Sequence, residues 1–273
     1  MTPPPPLFDT DLLARRRRRG LGTGSADFLH DLAAAELRER LSDVNRTFRT
    51  PAIIGPRGAL WAEHLCLPGA LLVPDADVLD LAEGAHDLVV HALALHWAND
   101  PVGQLVQARR ALAPDGLFLA ALFGGETLIE LRTALAEAEI ETLGGLSPRV
   151  APMGEIRDLG DLLQRAGLAM PVADSRRWDA SYASALNLMR DLRAMGETNV
   201  QCDRLRRPTP RALIERASAI YAERYATPDG RLRATFEVIF LTGWAPAPGQ
   251  PQPLRRGSAT TRLADALGAG SEE

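Results

Sequence analysis

Two glycines follow a short apolar segment in an arrangement that is typical of nucleotide-type binding sites. Pro51–Ile54 has the composition of a strand, Gly55-Pro56-Arg57-Gly58 comes next, and helix-forming residues follow it. At such a junction glycine lets the backbone come close to a ligand, and free N–H groups at the helix start point towards it. The pattern predicts that Gly55 and Gly58 begin a binding site.

Two histidines accompany the apolar segment His86–Trp97. His96 stands where this segment leaves the predicted sheet, the place where ligands collect in open α/β folds, and it is a candidate proton acceptor. A loop histidine beside a core tryptophan is the equally open structural alternative. For His91, inside the strand pattern, we favour a buried, hydrogen-bonded histidine. No HxD or HxE surrounds any of the five histidines, so the sequence offers no metal site of the two-histidine, one-carboxylate type.

Glu126 and Glu130 lie in the string GGETLIELR and are further candidates for chemistry. Their plain role is at a helix start, where an acid in the first turn favours the helix dipole. At the carboxyl edge of a sheet they are also placed to meet a positively charged substrate group. We favour the structural role and leave the catalytic residue unassigned among His96, Glu126 and Glu130.

Composition removes several classes of function. All 31 basic residues are arginine, since the chain contains no lysine, and this excludes a lysine Schiff base or a P-loop lysine. A net charge of −4 argues against a nucleic-acid partner. No apolar run reaches the roughly 18 residues of a membrane-spanning helix, so we expect at most peripheral membrane association. Cys66 and Cys202 form no CxxC pair, which argues against zinc or disulfide frameworks.

The elements that must position these residues alternate between apolar strands and amphipathic helices, which predicts an α/β fold with a doubly wound parallel sheet. We predict three parts: an N-terminal arm and helix at 1–47, a main domain at 48–244 and a Pro/Gly-rich tail at 245–273. Within the main domain a helical insertion at about 178–228 precedes the last strand, Thr235–Trp244, and forms a cap over the sheet.

Several strings together resemble the class I S-adenosylmethionine-dependent methyltransferases. The region Leu95–Arg132, with LHW, PDG and the strand after it, has their order of motifs and also suits the BioC-type malonyl-carrier methyltransferases. Further strings resemble the family of the fifth assembly factor of respiratory complex I, which has a methyltransferase-like fold and whose mitochondrial member hydroxylates an arginine in a complex I subunit. They are the opening LFD…LLARRRRRG, GGETL with ELR, MGETN, FEVIFLTGW and RGSAT.

The front of the implied cofactor site departs from that family. Its members place an acid at the end of the first strand and follow it with a GxGxG-like turn, whereas here Ile54 precedes Gly55-Pro56-Arg57-Gly58. Proline removes a backbone donor where close approach is needed. There is also room for only one strand between Gly58 and Asp87, so we expect a Rossmann-like methyltransferase sheet that lacks one strand–helix unit.

Asp75 and Ala76 follow that single strand and are the remaining candidates for the cofactor. Counted forward from Gly55, Asp75 stands at the acid that binds the ribose; counted backward from Asp87, Asp75-Ala76 stands beside the adenine. We favour the backward count, because PDADVLDL leads directly into DLVV. With His91 on the same edge, the implied cofactor-binding set is Gly55, Gly58, Asp75, Ala76 and His91.

The resemblance implies S-adenosyl-L-methionine as cofactor, and a complex I subunit or a carrier-bound small substrate as partner. We therefore expect a protein-modifying transferase of the methyltransferase family, related to complex I assembly and located in a bacterial-type cytoplasm. Two alternatives stay open. One is a non-catalytic assembly factor that has lost the cofactor site, and the other is an arginine hydroxylase-like activity on a complex I subunit.

Overall fold

A six-stranded sheet runs through the centre of the computed structural model, which describes residues 5–21 and 26–251, the side chain of residue 21 excepted. The strand order is β2-β1-β3-β4-β6-β5. The first four strands of this order are parallel, and β6 is antiparallel to both of its neighbours. The strands are β1 (Pro51–Ile54), β2 (Leu71–Val73), β3 (His86–Ala92), β4 (Leu112–Phe123), β5 (Ala169–Tyr182) and β6 (Leu232–Trp244). The predicted α/β fold, short of one strand–helix unit, is confirmed, whereas the expectation of a wholly parallel sheet is wrong at β6.

Helices cover both faces of the sheet. They are α1 (Thr10–Leu21), α2 (Phe28–Asp43), α3 (Gly58–His64), α4 (Pro101–Ala111), α5 (Ile129–Leu143), α6 (Ile156–Arg165), α7 (Ala185–Met195) and α8 (Arg211–Tyr225). A short 3-10 helix, Leu95–Trp97, follows β3. Two of these helices, α7 and α8, precede β6, as the predicted helical insertion requires.

The apolar residues of each strand divide between two cores because successive side chains point to opposite faces. In β4, Leu119 and Ala121 face the larger core, which packs against α2, α3, α5, α7 and α8. Phe118 and Ala120 face the smaller core, which packs against α4 and α6. The sheet is therefore buried on both faces, which explains why its central strands are almost wholly apolar.

Three boundaries differ from what the sequence pattern indicates. The apolar pattern of Leu168–Ala173 indicates a strand there, and this strand continues to Tyr182, since every residue from Asp174 to Tyr182 pairs with β6. The insertion predicted from about 178 therefore opens in a strand, and its first helix starts at Ala185. The helix predicted from Glu126 begins at Ile129, because Leu128 is left-handed (φ 57°) and its N–H is bonded to β6.

The N-terminal segment is attached by backbone hydrogen bonds to the chain that follows α7. The N–H of Asp9 donates to Val200 O, and the N–H of Cys202 donates to Leu7 O, both at 2.9 Å. Phe8 packs edge-on against Trp97 with ring centroids 5.1 Å apart. This pairing fixes α1 across the carboxyl edge of the sheet. The string RGSAT and most of the predicted tail, residues 252–273, lie outside the described residues.

Candidate functional site

Polar side chains from distant parts of the chain meet at the carboxyl edge of the parallel strands. Asp75 follows β2, His91 is near the end of β3, and His96 lies in the 3-10 helix after β3. Arg17 reaches them from α1, and Glu197 reaches them from the MGETN loop after α7. The strands β2 and β3 end at this edge, and α1 lies across it; ligands bind at this edge in open α/β sheets.

Arg17 joins the two carboxylates of this cluster. Its Nη1 is 2.5 Å from Asp75 Oδ2, and its Nη2 is 3.9 Å from Glu197 Oε1. The Arg17 side chain is only 10% exposed. Its Nε and Nη2 are buried and have no hydrogen-bond partner among the described residues. The guanidinium therefore neutralises two acids while keeping donors available for a further acceptor.

His96, Trp97 and Glu197 form a hydrogen-bonded unit beside Arg17. Glu197 Oε2 accepts from Trp97 Nε1 at 2.6 Å and lies 3.1 Å from His96 Nε2. Burial opposes ionisation of Glu197, but the hydrogen bonds from His96 and Trp97 and the charge of Arg17 outweigh it, so the pKa of Glu197 is lowered. Glu197 is thus a buried, ionised carboxylate at neutral pH.

Two further histidines in this region are neutral because they are buried. Burial lowers the pKa of His91 to about 4, and a smaller opposing effect comes from Asp75. Burial likewise lowers the pKa of His30 to about 4; His30 Nδ1 accepts from Trp61 Nε1 at 3.0 Å. His91 Nε2 lies 3.4 Å from Gln104 Oε1, and its Nδ1 has no partner within the described ranges. The predicted burial of His91 is observed, whereas its hydrogen bonding is incomplete.

These two histidines should make the protein less stable in mild acid. An unfolded histidine has a pKa near 6.5. Below that pH the unfolded histidines take up protons while the buried ones stay neutral. Their contribution to the free energy of unfolding is therefore fully present above that pH and is lost as the pH falls towards 4. We expect a loss of about 2.5 kcal/mol per histidine between pH 7 and pH 4.5, measured by urea unfolding. His91→Gln should reduce this difference by about half; an unchanged difference would contradict the assignment.

The predicted glycine turn packs against the protein itself. Gly55 has a φ of +143°, and a Cβ there would lie 2.6 Å from Ala92 O; at Gly58 a Cβ would lie 3.1 Å from Leu72 Cδ2. The Gly55 N–H already donates to Val73 O at 3.0 Å, and Pro56 has no N–H. Both glycines thus serve close packing of β1, β2 and β3. The turn does not fit the methionine and ribose portions of adenosylmethionine in the usual way.

The position of Asp75 differs from the favoured backward count. β2, the strand before Asp75, pairs directly with β1. In a Rossmann-type sheet the strand beside β1 carries the ribose-binding acid, so the sheet order places Asp75 at the ribose position. Its carboxylate is engaged by Arg17. Ala76 contributes only backbone, since its carbonyl accepts from Gln104 Nε2 at 2.7 Å.

Glu126 and Glu130 do not join this cluster. Glu126 is exposed and pairs with Arg177 at 3.1 Å. Glu130 is 1% exposed, and its carboxylate accepts from the N–H and Oγ1 of Thr235. Glu130 therefore joins α5 to β6, which agrees with the structural role favoured for it, although Glu126 precedes the helix.

A cavity of about 670 Å³ opens beside the cluster. Its apolar walls come from the sheet, α5 and the helical insertion, and include Phe123, Leu131, Leu135, Met189, Ile214 and Phe236. Trp97 and Glu197 line the same cavity, and Glu197 is the one acidic residue among its lining residues in the described ranges. The cavity thus combines an apolar wall section with one carboxylate and several polar residues.

Sequence patterns missed Arg17 and Glu197 as site residues. Arg17 is one of five consecutive arginines, a run whose plain interpretation is a solvated surface. Glu197 lies in MGETN, which looks like either a helix–helix turn or a recognition loop. The only available signal was that both strings belong to the family resemblance.

Gly196 allows α1 to approach this loop. It ends α7 with a φ of +82°, and a Cβ there would lie 2.6 Å from Arg17 Cγ. We expect Gly196→Ala to destabilise the protein by about 2–3 kcal/mol, about 1 kcal/mol of it from backbone strain. Gly144→Ala is the matched control, since Gly144 ends α5 at φ +71° with open space around it. Equal thermal shifts in the two variants would refute the contact.

No helix in the described part of the chain is long and apolar enough to cross a membrane. Within the same residues, no group of three or more His, Cys, Asp or Glu side chains is arranged to hold a metal ion.

Comparisons with known proteins agree with this architecture. A methyltransferase domain family model matches residues 21–120. The protein named arginine-hydroxylase NDUFAF5, mitochondrial, is 36% identical in Danio rerio, covering 95% of this chain and 89% of the relative. Its Homo sapiens counterpart is 32% identical, with coverages of 95% and 83%. A malonyl-[acyl-carrier protein] O-methyltransferase of Halorhodospira halophila is 33% identical, with coverages of 87% and 76%.

Among solved structures, a putative methyltransferase from Bacillus halodurans has a TM-score of 0.49 at 11% identity. The match covers 78% of this chain and 99% of that one.

Proposed function

This chain belongs to the family of the arginine hydroxylase NDUFAF5, whose members have the methyltransferase fold, and from that premise we propose that it modifies an arginine of a respiratory complex I subunit. The proposed site is the cavity beside Glu197. Relatives that carry the name arginine hydroxylase span almost the whole chain, and this supports hydroxylation as the modification.

The observation that supports this proposal most directly is that Glu197 is a buried, ionised carboxylate. An arginine side chain has an apolar stem and a charged, planar head, so it needs an apolar channel that ends in an ionised acid. The cavity has both features, since part of its wall is apolar and Glu197 is ionised and held in place by Trp97 and His96. Arg17 shows that a guanidinium is already accommodated next to this carboxylate.

In this site the residues of the chain bind and orient the substrate. Glu197 would accept hydrogen bonds from the guanidinium, and burial behind α1 would keep water away from it. Hydroxylation inserts one oxygen atom into a bond of the arginine side chain; with dioxygen as the oxidant, the second oxygen atom leaves as water after taking up two electrons and two protons from an external reductant. The experiment that tests the proposal is mass spectrometry of the complex I subunits from cells with and without the gene. We expect one arginine to lack the mass of an oxygen atom when the gene is absent.

A second candidate function is methyl transfer from S-adenosylmethionine. It is favoured by one observation: Asp75 follows the strand that pairs with β1, and Nε and Nη2 of Arg17, which have no hydrogen-bond partner among the described residues, belong to the side chain that pairs with it. For this function, Arg17 must first release Asp75. The packed glycine turn counts against it, so we propose that adenosylmethionine is not retained as a cofactor.

Calorimetric titration separates the two functions. We expect no binding heat and no rise in Tm with adenosylmethionine at about 1 mM, since a ligand at this concentration raises Tm only when its Kd is well below it. A clear shift that Asp75→Ala abolishes would instead show that adenosylmethionine is bound at Asp75, and would overturn the proposal that the cofactor is not retained.

Two neighbouring assignments stay proposals. One is the location, which we propose to be cytoplasmic. The animal relatives carry the word mitochondrial in their names, so cell fractionation is the experiment that tests the location of this chain. The other is the partner, for which a complex I subunit is proposed over a carrier-bound substrate because the arginine hydroxylase relatives cover more of this chain.

A further inference from the structure

Six arginines line the cavity, although the chain as a whole is acidic. This arginine cluster consists of Arg16, Arg149, Arg193, Arg204, Arg206 and Arg207. Glu197 is the one acid among the lining residues within the described ranges, whereas the full chain has a net charge of −4. The cavity therefore concentrates positive charge in a protein that carries a net negative charge elsewhere.

Half of the cluster is already engaged with the protein. Arg149 pairs with Glu139 at 2.7 Å, and Arg204 lies 3.5 Å from Asp9. Arg16 donates to Thr198 Oγ1 at 3.0 Å. Its pKa is lowered by burial and by the neighbouring charge of Arg204, which agrees with a positive environment.

The side chains of the other half have no partner. Among the described residues, no ion pair or side-chain hydrogen bond joins the guanidinium of Arg193, Arg206 or Arg207 to another residue, and all three residues are exposed. Three such guanidinium groups lining one cavity attract anions, and their planar forks match carboxylates in a bidentate geometry.

The positive charge of the arginine cluster opposes the binding of an arginine side chain, which is itself positively charged. An arginine bound at Glu197 shares the cavity with the cluster, and like charges repel unless the substrate brings its own acids. We propose that the cavity recognises an acidic segment of a protein client, in which aspartate or glutamate residues flank the target arginine and pair with Arg193, Arg206 and Arg207. This inference rests on the proposed function and adds the chemistry of its partner.

An acidic protein segment fits better than another polyanion. The net negative charge of the chain opposes a long nucleic acid, whose phosphates extend far beyond the cavity. A short segment places its carboxylates at the cluster and leaves the arginine stem for the apolar walls.

Fluorescence anisotropy with synthetic peptides tests the proposal. Three short peptides carry the same central arginine flanked by aspartate, asparagine or lysine. We expect the aspartate peptide to bind at least tenfold more tightly than the asparagine peptide, since several ion pairs of up to about fivefold each combine. The lysine peptide should be the weakest, and added salt should reduce the differences.

Two double variants with the same change in net charge show whether Arg206 and Arg207 cause the preference for the aspartate peptide. Arg206→Glu with Arg207→Glu should remove the preference for aspartate. Arg190→Glu with Arg211→Glu makes the same change in net charge at exposed residues that do not line the cavity, and should keep the preference. Equal binding of the three peptides, loss of the preference in both variants, or tighter binding of an oligonucleotide of equal charge would overturn the proposal.

One further peptide separates this inference from the proposed function. In it, glutamine replaces the central arginine between the aspartates. If this peptide binds as well as its parent, the acidic segment is recognised and arginine recognition fails. If binding requires the arginine but ignores its neighbours, the proposed function stands and the acidic-segment inference fails.

Discussion

Arg17→Met is expected to lower the free energy of unfolding by about 3–5 kcal/mol and Tm by about 10 °C. Removing the guanidinium leaves Asp75 without its ion-pair partner, and the buried Glu197 loses a neighbouring positive charge. A buried charge without its partner costs far more than the pair itself contributes. Arg18→Met is the matched control, because Arg18 is its exposed neighbour in α1, and its effect should stay within about 0.5 kcal/mol.

A double-mutant cycle with Asp75→Asn examines the same contact. The two changes should together cost about 1–3 kcal/mol less than the sum of their separate effects, as residues in one ion pair are coupled. Strict additivity would mean that Arg17 and Asp75 do not interact in solution.

Glu197→Gln is expected to reduce modification of the client arginine by about a hundredfold or more. The amide still accepts a hydrogen bond from Trp97, so the fold should persist, but it no longer offers a charge to the guanidinium. Loss of charge-assisted hydrogen bonds of this kind costs about 3 kcal/mol, which equals about two decades. The loss should appear mainly as a raised KM, since Glu197 binds the substrate.

Glu126→Gln is the control for that experiment. Glu126 lies at the same sheet edge and was a sequence candidate, yet it is exposed and pairs with Arg177. Its substitution should change the rate less than twofold. A normal rate in Glu197→Gln together with a large loss in Glu126→Gln would reverse the assignment of the substrate-binding acid.

The fold was predictable because apolar segments and helix patterns alternate along most of the chain. The failure at β5 has a physical origin. β5 lies at the edge of the sheet, pairs on one side only and leaves many of its side chains exposed. Its second half, SRRWDASY, is therefore polar and lacks the apolar character that marks the central strands. What makes it a strand is its register with β6, a contact that no local pattern reports.

The site was only partly predictable. His96 was found because it follows a recognisable strand at the correct edge. Arg17 was not found, because nothing in the sequence distinguishes the five consecutive arginines from one another. In the structure, the rotation of α1 about its axis turns Arg16 and Arg17 towards the protein and leaves Arg18 exposed. This rotation is set by contact with residues near position 197, some 180 positions away. Long-range contacts of this kind decide which charge is buried.

The backbone pairing of the N-terminal segment with residues 200–202 also affects the order of synthesis. The segment that precedes α1 leaves the ribosome long before its partners and cannot take its place until residue 202 has emerged, because its hydrogen-bond partners do not yet exist. The nascent protein must therefore keep this segment and the arginine-rich α1 that follows it undocked while the strands β1 to β4 form. The carboxylates of Asp75 and Glu197 acquire their guanidinium only near the end of translation.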